Sequence, residues 1–144
     1  MNRTSLLLVL VGLITCSFLA ALTDAPPTEP RVLVFSKTAG FRHDSIPAGI
    51  TAMKELGAEG GFTVDATEDS SAFTNENLAK YAAVVFLNTT GDVLNEPQQK
   101  AFERFIRNGG GYMGVHSAAD TEYDWPFYGE LIAGAYFKGH PPVQ

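Results

Sequence analysis

An α/β fold, an open doubly wound parallel sheet with helices on both faces, is what this sequence predicts, and three observations carry it. Short, nearly continuous apolar runs recur along the chain, the mark of strands buried on both sides. Stretches of helical apolar spacing separate them, and such alternation implies right-handed crossovers and a parallel sheet. Glycine clusters and polar loops punctuate the junctions.

The first strand is expected at Arg31-Val32-Leu33-Val34-Phe35-Ser36, followed by a loop from Lys37 to Asp44. A helix fits Ser45 to Ala58, where Ile46, Ile50 and Met53 share one face, and Gly60 and Gly61 stop it. Phe62 to Ala66 alternates and reads as a second strand. A short helix over Asn75 to Lys80 leads to Ala82-Ala83-Val84-Val85-Phe86-Leu87, a central strand. Asn95 and Gln98 have capping-box spacing, Pro97 is tolerated in a first turn, and Ala101, Phe102, Phe105 and Ile106 form the stripe of the helix they open. Gly109-Gly110-Gly111 ends that helix, and Tyr112-Met113-Gly114-Val115 enters a fourth strand. From Ser117 onward the chain is loop-rich and aromatic, with one helical stretch near Tyr128 to Ala133.

At 144 residues the chain holds one domain, and an apolar content of 45% is enough for a packed core. The net charge is −6 with no basic run after residue 31, so the electrostatic footprint of nucleic-acid binding is missing. The acidity reads as solubility. Residues 1–25 read as a signal peptide: Arg3 gives a positive start, Leu6 to Thr15 an apolar core, and Ala20, Ala21 and Ala25 the small residues that follow. A Pro-rich linker spans residues 26–30. Export to the periplasm or exterior is expected, with a retained membrane anchor as the rival. Leu13-Ile14-Thr15-Cys16 resembles a bacterial lipobox, although Thr15 replaces the usual small residue, so a lipid anchor at Cys16 is the other route to a membrane. Cys16 is the sole cysteine, which leaves the domain without a disulfide, a thiolate metal site or a thiol nucleophile.

In doubly wound sheets, ligands bind outside the carboxyl ends of the strands. His43 follows the first strand and His116 the fourth, which makes a shared cleft the preferred reading and the pair the candidate catalytic residues. The third histidine, His140, lies in Phe137-Lys138-Gly139-His140-Pro141. Arg42, Asp44, Ser117, Asp120, Trp125 and His140 are candidate substrate-binding residues. Arg42 would orient a substrate oxygen, or tie to Asp44 or Asp120. Trp125, Tyr123, Tyr128 and Phe41 offer flat faces to a sugar, whereas Phe127 and Phe137 are expected to pack within the loop region. Ser117 is out of register with a Gly-x-Ser-x-Gly elbow and reads as a hydroxyl satisfying loop backbone. His43, His116 and His140, with Asp44 or Asp120, could also gather a divalent metal such as zinc, a set that needs convergence the spacing does not give. The favoured use of the histidines is acid–base and hydrogen-bonding chemistry on a small carbohydrate.

Several of these segments agree with one family in order and spacing. Thr38-Ala39-Gly40-Phe41-Arg42-His43-Asp44-Ser45-Ile46-Pro47, Gly109 to Ala118, Tyr123-Asp124-Trp125-Pro126-Phe127-Tyr128 and Phe137 to Pro141 resemble the ThuA-like (trehalose-utilisation) domains over about 31–144. That resemblance implies a fold similar to class I glutamine amidotransferases, which is flavodoxin-like, and a role in using trehalose, a related disaccharide or an oxidised sugar. A non-catalytic carbohydrate-binding domain on the same scaffold is the second reading. The amidotransferase elbow, Gly-x-Cys-x-Gly, corresponds here to Gly114-Val115-His116-Ser117-Ala118, so a histidine stands at the nucleophile position and thiol-based glutamine hydrolysis is excluded. ThuA-like domains normally continue past the Gly-His-Pro motif, so the domain is expected to be incomplete at its C-terminus, leaving Ile132, Tyr136 and Phe137 poorly covered.

Overall fold

The computed structural model describes residues 29–139. The signal segment, Cys16, most of the linker and His140 lie outside the described residues. Four strands form the sheet: β1 (Arg31–Phe35), β2 (Thr63–Thr67), β3 (Ala83–Leu87) and β4 (Gly111–Val115). Four α-helices accompany them: α1 (Ile46–Gly60), α2 (Asn75–Leu78), α3 (Glu96–Arg107) and α4 (Pro126–Leu131). The strand order is β2-β1-β3-β4, and all three pairings are parallel. This is the flavodoxin-like order, in which the chain reverses its winding direction between β1 and β3 and opens a crevice there.

Side-chain alternation divides the core between the two faces of the sheet. Val34, Val85 and Leu87 pack with Ile50 and Met53 of α1 on one face. Leu33, Phe35, Val84 and Phe86 pack with Phe73, Ala101, Phe102 and Tyr128 on the other. The second face is aromatic: Phe86 stacks on Phe102 at 5.3 Å and on Tyr128 at 5.7 Å. Helices cover both faces, as the apolar runs require.

Element boundaries moved where local geometry favours it. Helix α1 continues through Gly60 and stops at Gly61, whose φ of 70° is the left-handed conformation a helix C-terminus uses. A side chain at Gly110 would meet the Phe105 ring at 2.4 Å, so the glycine run lets β4 pass close under α3. Helix α3 begins as its capping box predicts: Asn95 N–H donates to Gln98 Oε1 at 2.9 Å, and Gln98 N–H donates to Asn95 Oδ1 at 3.1 Å. Replacing Asn95 with alanine removes the side-chain acceptor of the Gln98 N–H, leaving only the backbone half of the box, and should cost about 1 kcal/mol of unfolding free energy. Urea titration of the two proteins checks this, and identical midpoints would mean that the box contributes nothing.

Candidate functional site

The chain leaves β4 through a tight left-handed turn. His116 has φ of 51°, a conformation that costs a non-glycine residue of order 1 kcal/mol and clusters at functional sites. A short 3₁₀ turn, His116–Asp120, follows directly. Gly114 makes room, since a Cβ there would sit 2.8 Å from the Tyr112 hydroxyl and 3.2 Å from Ala118 Cβ. Below the turn, buried Tyr128 donates to the Ala118 carbonyl at 2.7 Å and so accepts from Tyr112 at 2.7 Å. Burial pushes the Tyr112 hydroxyl up to about 12, which keeps it protonated as the donor. The strand-to-helix turn expected at this position is present, with an imidazole at its apex.

The loop carrying His43 is laced to the loop after β3. Thr90 Oγ1 donates to the Phe41 carbonyl at 2.9 Å and accepts from Gly40 N–H at 3.2 Å. Asn88, also left-handed with φ of 52°, donates through Nδ2 to Ser45 Oγ at 2.9 Å. The same β3 loop binds the turn after β4: Gly91 N–H donates to the Asp120 carbonyl at 2.7 Å, and the hydroxyls of Thr89 and Thr121 meet at 2.8 Å.

These ties bring the two histidines together. His43 Nε2 lies 3.0 Å from His116 Nε2, with the rings nearly perpendicular. His43 Nδ1 lies 3.4 Å from Ser117 Oγ. A cavity of about 660 Å³ opens beside the pair, lined by Phe41, His43, His116, Ser117, Ala119, Asp120, Ala135, Tyr136 and Phe137. That volume suits a small organic ligand. Asp120 is held at the cavity wall by the Tyr123 hydroxyl, 2.8 Å from its Oδ1.

Of the residues expected at the site, His43, His116, Ser117, Asp120 and Phe41 converge on this cavity. Others do not. Arg42 pairs in two parallel hydrogen bonds with Glu68, at 2.8 and 2.7 Å, rather than with Asp44 or Asp120, so its fork is already satisfied. Asp44 is exposed and off the cavity lining. Trp125 packs into the aromatic core, stacked on Tyr128 at 6.2 Å, and Tyr128 is fully buried, so neither offers a face to a sugar. Phe137, expected to pack away, is on the lining and 37% exposed. His140 is outside the described residues. Among the described residues no group of three His, Cys, Asp or Glu side chains is placed to hold a metal ion, so the proposed ligand set is not assembled from them.

One residue that supports the site went unread in the sequence. Glu122 is 1% exposed and accepts at Oε1 from the Val93 and Leu94 N–H groups, at 2.8 and 2.7 Å. Its Oε2 accepts from Gln99 at 2.6 Å. Burial raises the Glu122 carboxyl above its ordinary range, with these donors pulling the other way. The signal for it is indirect: the backbone N–H groups of the buried Val93 and Leu94 need an acceptor.

The trehalose-utilisation family, ThuA, matches residues 31–144. The chain belongs to the ThuA family. Its fold is similar to that of a solved ThuA-like protein from Bacteroides uniformis, with a TM-score of 0.63 and 27% identity over 76% of this chain and 46% of that one. A solved ThuA-like protein from Parabacteroides merdae shares the fold, with a TM-score of 0.60 and 23% identity over 74% of this chain and 39% of that one. The ThuA chain described here therefore spans less than half the length of either solved relative. No curated protein matches it.

The left-handed turn makes a test that needs no substrate. Asparagine tolerates this conformation, so His116→Asn should leave stability within about 0.5 kcal/mol, whereas the β-branched His116→Val should lose about 2 kcal/mol. Thermal unfolding of both variants checks the turn, and equal stabilities would show that residue 116 is not held left-handed.

Proposed function

We propose that this ThuA domain acts on a sugar or an oxidised sugar, with His43 and His116 as the acid–base pair. Family membership supports the carbohydrate-utilisation role. The single observation that carries the chemistry is the 3.0 Å approach of the two Nε2 atoms, delivered by separate strand ends, at the wall of a ligand-sized cavity. Two neutral imidazoles at that distance share one proton, so one ring donates while the other accepts. Such a pair can give and take protons at a sugar hydroxyl or carbonyl. Phe41 and Phe137 add apolar faces for the sugar ring, and Asp120 adds a polar contact. Export places the reaction outside the cytoplasm once residues 1–25 are removed.

A binding-only role draws on the same rim, since Phe41 is 71% exposed beside the cavity and suits capture of a ring without turnover. The two readings separate in one experiment. The full chain, its N-terminus sequenced after expression and its metal content measured, is offered trehalose, related disaccharides and their keto derivatives. The enzymatic reading predicts turnover that falls by roughly 10²- to 10⁴-fold in His43→Ala and in His116→Asn. Sugar binding without turnover supports the binding module. Turnover untouched by either substitution removes the histidine pair from the mechanism.

A further inference from the structure

We propose that Ser117 is a positioning residue that sets the direction in which His43 and His116 share their proton, leaving His116 as the imidazole that presents an N–H to the substrate. The inference rests on the pair being the reactive site, but not on which sugar it meets.

His43 faces a neighbour with each ring nitrogen. Its Nε2 meets His116 Nε2 at 3.0 Å, and its Nδ1 meets Ser117 Oγ at 3.4 Å. A neutral imidazole carries one proton, so its two nitrogens play opposite roles, and settling one settles the other. Ser117 makes that choice. It is 8% exposed, and among the described residues its hydroxyl has one hydrogen-bond partner, His43 Nδ1.

If the His43 proton sat on Nδ1, it would donate to Ser117 Oγ, and the serine's own proton, 8% exposed at the cavity wall, would be left without a protein acceptor among the described residues. An unpaired buried donor is costly, whereas an under-used oxygen lone pair is tolerated. The hydroxyl therefore donates to Nδ1. His43 then holds its proton on Nε2 and donates it to His116 Nε2. That nitrogen is now an acceptor, so the proton of neutral His116 is on Nδ1. His116 is exposed and lines the cavity, at the left-handed turn that follows β4, and its Nε2 is tied to His43. A neutral imidazole with its proton kept on Nδ1 is a donor available to a substrate oxygen in the cavity, and such donors act where negative charge develops. Ser117 contributes without touching the reacting atoms.

The test needs no substrate, so its failure is separate from failure of the sugar reading. The full chain is labelled with ¹⁵N-histidine, and long-range proton–nitrogen correlations are recorded under alkaline conditions where the rings are neutral. Single-histidine substitutions, including His140→Asn, assign the signals. The expected pattern is an Nε2–H tautomer for His43 and an Nδ1–H tautomer for His116, and the reverse pattern overturns the proposal. In Ser117→Ala both rings should lose their single tautomer and become mixtures, although the His116 ring makes no hydrogen bond to Ser117. Unchanged patterns in that variant would also overturn it. Ser117→Thr keeps the hydroxyl and should keep the wild-type pattern, and the wild-type spectrum decides the direction even if Ser117→Ala does not fold. Covalent labelling of Ser117 by a fluorophosphonate would make it a nucleophile and reject the positioning role.

Discussion

The site depends on how the chain leaves β4. With His116 in the left-handed conformation, the backbone turns at once into the 3₁₀ segment, and the imidazole stands at the carboxyl edge of the sheet where His43 can reach it. An extended residue 116 would carry the chain onward and leave His43 without its partner. The strain is local, and its support is distributed: Gly114 clears the space, and the Tyr112–Tyr128 pair holds Ala118 from below. The places of His116 and Ser117 both depend on that turn.

The second constraint is the loop after β3, which behaves as a central clamp. Asn88 reaches the start of α1, Thr90 holds the backbone on either side of Phe41, and Gly91 holds the turn that follows His116. Both histidine loops are thus fixed against one central element as well as meeting each other through His43. Glu122 extends the clamp by closing the N–H groups ahead of α3. Pinning from a buried strand end limits the freedom of two polar loops that would otherwise move independently, and it positions the rings before a ligand arrives.

Much of this was legible in the sequence because it rests on local pattern. The apolar runs of β1 and β3 locate the buried strands, and Asn95 with Gln98 announces the start of α3 to the residue. His43 and His116 were readable as one cleft because each directly follows a strand in a parallel sheet, where topology gathers the carboxyl ends. What was not legible depends on long-range meetings. Arg42 finds Glu68 rather than a neighbour because the end of β2 lies beside the β1 loop, a fact of strand order. Trp125 had two fates open to it, rim or core, and the close packing of Phe102 and Tyr128 chose the core. Ser117 reads in the sequence as a substrate-binding candidate or a loop-satisfying hydroxyl, since no motif reveals that it faces an imidazole from another strand end.

The shared site rests on the hydrogen bond between the two imidazoles. Scalar coupling between two ¹⁵N nuclei across a hydrogen bond reports that bond directly, and it can be sought between the Nε2 atoms of His43 and His116 in ¹⁵N-histidine-labelled protein. The predicted result is a resolved coupling between those two nitrogens that vanishes in His43→Ala and in His116→Asn. Nε2 signals from both rings with no coupling between them, together with an absence of proton contacts between the rings, would contradict the shared site.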